Sequence, residues 1–585
     1  MDQIKSRPVP PHTPSPRMQS SSTVIGGSTP SRPSNTEQAS RDIHLVSVID
    51  ATDPLIEPDA TQDIQHFEEL LTTAGSHLTG DVRIDRNATA PWTKRATGIP
   101  WTALLLSPVA TGVGLGIFCG LTMGPPIGAA VSLVAGWMGW KTTGLLARSG
   151  LLEKGPAQLY AAHVQSKMVE PRWSGRREYE LGPDRTPGID SAPNFQGPIP
   201  PRTPDDVAGY LARNLKKYPS GTSIVHMLGH GLVYRAAAGM SFPTYEKTLE
   251  ETTRQTGRPI DVLLLESCLS GSLEGLAASY PYARYTVCSE ETLQVATMSK
   301  VLKSAISDIQ DRTLTPRELA ATIVRGADLS PKLPPDASTN SGSTSPASGD
   351  TSPDSVQAHQ TLRARFGTWM KGDPSPETLT AFDNAKMPRL LSAVDELGKT
   401  LAEEAREGRT AGLWDAVRGT PQFPRPGVSE NLREILKVGD LGILAQRIET
   451  VYSGEKLPSP RRWGWLAVTR PVAHPEAAAS PRAAQVMQAA REVRAALNDV
   501  IVAHHTRADY QDASGLSIQL PGPGLVRNEE RFASATGYAP TFDNSAAPRG
   551  WKDFVATMNG FDTLHSTATA RHVDTPDLSE TECGG

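Results

Sequence analysis

Residues 259–274 read PIDVLLLESCLSGSLE, and the reading of this stretch decides the fold. Val262 to Leu265 form an apolar run, as in a strand covered on both faces. The run leads into Glu266-Ser267-Cys268, then into the small residues Ser270-Gly271-Ser272, then into a helix-forming pattern. A buried strand thus delivers one cysteine to the edge of a sheet, at the expected start of a helix. Upstream, Ser223-Ile-Val-His-Met-Leu-Gly229 is a second apolar run, and it ends in His230-Gly231. Two parallel strands, one tipped with His and one with Cys, are what a cysteine nucleophile and its base require.

Working outward, His44 to Ile49 reads as another buried strand. Gln62 to Leu71 reads as a helix, with Ile64, Phe67, Leu70 and Leu71 on one face. Asp81 to Asp85 is a weaker strand. Thr203 is a helix N-cap with Pro204 at the first helical position, and Val207, Leu211 and Leu215 continue the stripe. Tyr285 to Cys288 is one more strand. Strands alternating with helices predict an α/β fold: a mostly parallel sheet flanked by helices on both faces. Beyond residue 360 the pattern is mainly helical. One helix is predicted over 387–406 and another over 481–504, with Val486, Ala489, Ala490, Val493, Leu497, Val500 and Ile501 on one face. Gly515 to Leu520 reads as a strand.

The chain has 585 residues, room for two or more domains of ordinary size. Its net charge of -5 gives no global attraction to nucleic acid, so no nucleic-acid partner is expected. The four cysteines, Cys119, Cys268, Cys288 and Cys583, are too few for a disulfide framework. None forms a CxxC pair, and His504-His505 lacks a spaced third ligand, so no metal and no cofactor are expected. Residues 1–43 are rich in Pro, Ser and Thr and carry almost no large apolar residues, which predicts a disordered tail. No apolar core segment of a signal peptide occurs in residues 1–40. Such a tail would also serve a secretion system that reads unfolded N-termini. Residues 331–353 form a Ser/Pro-rich linker.

From Ala96 to Trp140 there are 45 consecutive residues without Asp, Glu, Lys, Arg or His. Gly124-Pro125-Pro126 divides the block. Its first half is long enough to cross a bilayer. Trp101, Trp137 and Trp140 suit the interface, and Lys94, Arg95, Lys141 and Arg148 flank the ends. Gly112, Gly116 and Gly120 repeat at the spacing of a close helix–helix contact. A membrane hairpin over 101–146 is the expectation; the alternative is a Gly-rich buried helix pair.

These segments together resemble the clostripain family of cysteine peptidases, which share the caspase-like fold with legumain and gingipain. The resemblance runs in order along most of the chain. VSVIDATDPLIEPDATQDIQHFEELLTTAGS (46–76) looks like the family's opening strand, acidic loop and helix, and DVRIDR (81–86) like its second strand. Gly175-Arg-Arg-Glu-Tyr179 looks like the Arg-Arg-Tyr strand. His230-Gly231 occupies the His-Gly motif, Glu266-Ser267-Cys268 with Gly271 the Asp-x-Cys-x-x-Gly motif, and Ser289-Glu290-Glu291 the Ser-Glu-Glu motif. LTAFDNAKMPRLLSAVDELGKTL (379–401), Val438 to Gly442, Ser514 to Ile518 and Gly550 to Phe554 are close to family segments.

The resemblance implies a caspase-like α/β sheet with a helical C-terminal region, and it makes the uncharged block an inserted hydrophobic hairpin. The implied organisation is a tail (1–43), a first part of the peptidase domain (44–91), the insertion (92–170), a second part carrying His and Cys (171–329), a linker (330–360), a clostripain-like C-terminal region (361–560) and a polar tail (561–585). The implied activity is a cysteine endopeptidase acting on protein or peptide substrates; the alternatives are a catalytically decayed peptidase fold serving as a membrane or interaction protein, and a secreted bacterial effector protease. Cys268 is the nucleophile, His230 its acid/base partner, and the backbone N–H groups of Gly231 and Cys268 the oxyanion donors. The N-terminal dipole of the helix expected at Cys268 would favour a thiolate. Glu266, Glu290 and Glu291 are the implied acids of an S1 pocket for Arg or Lys. Three departures bear on specificity: Glu266 stands where the family has Asp, Thr292 to Thr297 replaces a Pro-Gly-rich segment, and Leu232-Val-Tyr-Arg follows His-Gly. His226, four residues before His230 on the same strand, reads as structural, and Cys288 as packing. The expected location is a membrane, with the peptidase domain on its cytoplasmic side; the alternative is a secreted bacterial effector.

Overall fold

In the computed structural model, the described residues are 39–52, 57–86, 173–182, 192–200, 203–231, 236–293, 297–310, 312–329, 376–423, 438–457, 472–507, 510–522 and 548–560. The hairpin expected over 101–146, the linker over 331–353 and the polar tail over 561–585 lie outside them. So does the N-terminal tail through residue 38. Its expected end at 43 is slightly late: Ser40 already bridges Leu314, and Ile43 opens the first strand.

The apolar runs become a nine-stranded sheet in the order β11-β8-β7-β6-β5-β1-β2-β3-β4. Its centre is parallel and consists of β2 (Leu78–Arg86), β1 (Ile43–Ala51), β5 (Thr222–Leu228), β6 (Ile260–Glu266) and β7 (Ala283–Cys288). Both edges are antiparallel. On one side lie β3 (Gly175–Leu181) and β4 (Pro193–Gly197); on the other lie β8 (Thr378–Asp383) and β11 (Ile501–Thr506).

Every residue of β1, β5 and β6 is buried, because helices cover both faces. Side chains alternate between the faces with a period of two. Leu45, Ile49, Ile224, Leu228, Val262 and Leu264 pack under α1 (Glu57–Ala74), which offers Ile64, Phe67, Leu70 and Leu71 as its sequence predicts. Val46, Val48, Val225, Met227, Leu263 and Leu265 belong to the core on the other face. There α2 (Pro204–Leu215) offers Val207, Tyr210, Leu211 and Leu215, and α3 (Phe242–Thr256) offers Phe242, Tyr245 and Leu249. Each such aliphatic side chain contributes about 1.5–3 kcal/mol when fully buried. Thr203 caps α2, its Oγ1 accepting from the Asp206 N–H at 3.3 Å.

Arg86 and Gly175 are register partners in the β2–β3 pair. The end of β2 and the start of β3 are therefore neighbours.

The C-terminal region is less separate than its helical pattern implies. The helix expected over 387–406 is present as Met387–Arg406. The helix expected over 481–504 is shorter: it covers Ala483–Val500, and the chain then turns into β11. Ile501, His504 and His505 lie on that strand. Ile501-Val502 is β-branched, and β8 offers an open edge to pair with. β8 pairs with β7 and β11 with β8, so the C-terminal region completes the main sheet. A small antiparallel sheet of β12 (Ser517–Gln519), β10 (Val438–Asp440) and β9 (Gln422–Phe423) accompanies it.

Candidate active site

The register of β5 against β6 sets the site. Leu228 is the partner of Glu266, and the Gly229 N–H donates to the Glu266 carbonyl at 3.3 Å. His230 and Cys268 each lie two residues beyond that pair, at the carboxyl ends of neighbouring parallel strands. Ligand sites of open α/β sheets lie at such ends. Both side chains are partly exposed. A Cβ on Gly231 would lie 2.5 Å from the Cys268 carbonyl oxygen and 2.6 Å from the Ser267 Cβ, so the His-Gly backbone rests directly on the cysteine backbone. Only glycine permits that approach.

Cys268 does not begin a helix, contrary to expectation. It lies on a turn, and the next helix, α4 (Leu273–Ser279), starts five positions later behind its Ser272 cap. The small residues 270–272 continue the turn rather than opening a helix. The dipole effect fades within a turn and does not reach this sulfur. Although part of Cys268 meets solvent, the sulfur sits in dense surroundings. Burial pushes its thiol up to about 11, and Glu291 and Glu377 add to the rise. The thiol donates to the Leu293 carbonyl at 3.6 Å, which offsets part of it. The resting Cys268 side chain is therefore a neutral thiol. Leu269, next in sequence, has φ +55°. A left-handed non-glycine residue beside a reactive group is strain held by its neighbours. Here the Leu269 side chain is buried with Phe423, Val438, Tyr510 and Ala513.

Two segments brace the cysteine turn. From the loop after β7, the Glu291 carbonyl accepts from the Leu269 N–H at 3.2 Å and the Ser289 carbonyl from the Gly271 N–H at 2.6 Å. From the C-terminal region, the Ser517 N–H donates to the Gly271 carbonyl at 2.9 Å and the Gln519 N–H to Glu274 Oε1 at 3.1 Å. The Ser-Glu-Glu and Ser514 to Ile518 segments are thus both built into the site's floor.

The three acids expected at S1 are all buried. Glu266 lies on the α1 side of the sheet. Its Oε2 is 2.9 Å from His226 Nε2, and its Oε1 accepts from the N–H groups of Thr297 (2.6 Å) and Met298 (3.3 Å) at the start of α5 (Thr297–Gln310). Glu290 Oε1 accepts from the Gly515 N–H at 3.1 Å, and Glu291 Oε1 from the Thr292 N–H at 2.8 Å. His226 faces α1, away from solvent, with Nδ1 2.9 Å from Ser47 Oγ. Cys288 is buried, and burial raises its thiol pKa strongly. His504 and His505 do not act together: the first bridges Thr380 and Ala513, the second meets Asp328.

Sequence reasoning missed Asp63. This fully buried carboxylate on α1 has an atom within 4.8 Å of ligand atoms of His226 and Glu266. The signal was present, since position 63 sits one turn before Phe67 on the apolar stripe. Asp440 was also missed. It caps α9 (Leu441–Ser453) by accepting from the Ile443 N–H at 2.7 Å, and it accepts from Ser514 Oγ at 2.6 Å.

No family model matches the sequence, and no curated protein matches it. Solved structures do. One is an inactive zymogen C11 protease from Parabacteroides distasonis, 9% identical, covering 86% of this chain and 99% of its own, with a TM-score of 0.42. Another is iotapain, a secreted C11 cysteine protease from Bacteroides thetaiotaomicron, 10% identical, covering 85% and 99%, with a TM-score of 0.43. A secreted C11 cysteine protease from the same organism, in complex with an irreversible peptide inhibitor, is 9% identical, covers 86% and 99%, and has a TM-score of 0.42. The chain is similar to C11 cysteine proteases, the clostripain family. Among the described residues no helix is long and apolar enough to cross a membrane.

Proposed function

We propose that this protein is a cysteine-type endopeptidase that hydrolyses peptide bonds through Cys268 and His230. The observation that carries the reading is the β5–β6 register, with Gly231 resting on the Cys268 backbone. The Cys268 thiol gives its proton to the imidazole of His230, and the sulfur attacks the scissile carbonyl carbon. The backbone N–H groups of Gly231 and Cys268 stabilise the oxyanion, and each such donor contributes roughly 100- to 1000-fold in turnover. His230 passes the proton to the leaving amine as the C–N bond breaks. Water then attacks the thioester, and its proton returns by way of His230 to the sulfur. Because the resting thiol keeps its proton, the base must act as substrate binds, rather than beforehand.

The substrate is a protein or peptide, with Arg or Lys at P1. The support is the family resemblance, with Glu266 at the carboxyl end of β6 and Glu290 and Glu291 just beyond that of β7. All three are buried in this conformation, so the pocket must open to admit a basic side chain. Membrane contact runs through 101–146, with the peptidase domain on the cytoplasmic side. The pairing of Arg86 with Gly175 supports it, because a hairpin inserted there need not split the sheet. A secreted effector is the competing location.

The test is labelling of membrane and soluble fractions with a basic-P1 electrophile, wild type against Cys268→Ala. Labelling of wild type alone, in the membrane fraction, is expected. Equal labelling of both proteins, or none, overturns the peptidase reading. Labelling only in the soluble fraction overturns the membrane part. Preferred cleavage of a peptide library after acidic or small residues overturns the P1 part.

A further inference from the structure

We propose that Asp63, His226 and Glu266 bind one first-row transition-metal dication, best matched by zinc, on the α1 side of the sheet. The three groups come from three elements, α1, β5 and β6, and meet in one buried cluster. Asp63 and His226 are fully buried and Glu266 is 3% exposed. Each offers one ligand atom, and the three atoms lie within 4.8 Å of one another. Tetrahedral zinc with bonds of about 2.0–2.2 Å holds its nitrogen and oxygen donors roughly 3.3 Å apart, so the His226–Glu266 pair, 2.9 Å apart, opens slightly and Asp63 moves in to complete the set.

Asp63 gives the independent sign of a missing cation. Neither of its carboxylate oxygens has a hydrogen-bond partner among the described residues. The nearest basic group is His66 Nδ1, at 3.9 Å. A fully buried carboxylate without a donor is costly unless a counter-ion meets it.

The other two ligands are already held by outer partners, as in built metal sites. His226 Nδ1 lies 2.9 Å from Ser47 Oγ; a proton on Nδ1, donated to Ser47, leaves Nε2 free to ligate. The Phe67 ring packs edge-on to the imidazole, with centroids 5.4 Å apart and planes at 76°. Glu266 Oε1 accepts from the Thr297 and Met298 amides, and Oε2, 2.9 Å from His226 Nε2, meets the ion where the ion replaces that direct contact. Two carboxylates and a neutral imidazole carry a charge that matches a dication. The imidazole and the small donor count select a transition metal over calcium, which takes six to eight oxygens.

Glu266 stands two residues before Cys268, so the ion would clamp the end of β6 to α1. It would also leave Glu290 and Glu291 as the acids for a basic side chain. The proposal does not depend on the peptidase reading.

The experiment uses the full chain, stripped with chelator and kept reduced. Zinc is added, unbound metal is removed by desalting, and bound zinc is counted by atomic emission. One equivalent is expected in wild type and in Cys268→Ser, with affinity at least about tenfold weaker in Asp63→Asn. The wild-type cobalt form is expected to show visible d–d bands without a thiolate charge-transfer band. That spectrum serves even where a ligand variant does not fold. Absence of bound metal in wild type, or unchanged affinity in Asp63→Asn, overturns the proposal. So does a thiolate band, or loss of binding in Cys268→Ser, because Cys268 would then hold the metal. A change of P1 preference in Glu266→Gln together with no bound metal would show Glu266 to be a substrate-reading acid instead.

Discussion

Cys268 keeps its proton at neutral pH because burial pushes the thiol up to about 11. Only the thiolate is alkylated, so the rate with iodoacetamide is expected to rise about tenfold per pH unit from 7 towards 10. A plateau below pH 8 in a mass-spectrometric time course would show instead that the thiolate is preformed. Cys288 does not confuse the measurement, being fully buried. The neighbouring contact is steric. An alanine at 231 would press its Cβ against the Cys268 carbonyl, 2.5 Å away. Gly231→Ala is expected to cost roughly 1–3 kcal/mol of stability, as overpacking does. It is also expected to lower kcat/KM by at least about 100-fold through displacement of an oxyanion donor. Thermal unfolding and peptide hydrolysis check the two together. Unchanged turnover would remove Gly231 from the proposed machinery.

At the scale of elements, the cysteine turn is held by segments distant in sequence. Asp440 links the start of α9 to Ser514, which leads into β12. Burial raises its carboxyl pKa to about 6. The folded value lies above the ordinary carboxylate value of about 3.9. Its contribution to stability is therefore complete below about pH 4 and is lost as the pH rises through the folded value. The span corresponds to about 3 kcal/mol. Relative to Asp440→Asn, wild type should lose about that much between pH 4 and 7, measured by denaturant unfolding. A difference that stays constant across this range would show that the carboxyl titrates normally. The strands of this region were readable because β5 and β6 carry the apolar residues Ile224, Val225, Met227 and Leu228 and the run Val262 to Leu265. The turn at Cys268 was not readable, since Ser270-Gly271-Ser272 suits a helix start and a turn equally. What extends the turn is bonding to Ser289, Glu291 and Ser517, which no local pattern records.

For the whole molecule, the main sheet needs both halves of the chain. β8 covers the edge of β7, and β11 covers β8. α7 (Met387–Arg406) adds Met387, Leu390 and Val394 to the core that β6 shares. A single cut by an added protease between residues 331 and 353 is therefore expected to leave two fragments that co-elute on size exclusion and still label at Cys268. Fragments that separate without denaturant would mean that the C-terminal region is an independent domain.

The sequence by itself determined the strands that carry His230 and Cys268 and the helices α1 and α7. Each of these is written in periodic apolar patterning or in a cap such as Thr203, and such signals are local. Only the tertiary structure decided the thiol's protonation, the meeting of Asp63 with His226 and Glu266, and the recruitment of β8 and β11 into the main sheet. Protonation follows from how densely other segments surround the sulfur. The acid cluster joins α1 to two strands far from it in sequence. The edge strands form only where a partner's unpaired backbone awaits them. These are properties of neighbours in space, and the order of residues along the chain does not carry them.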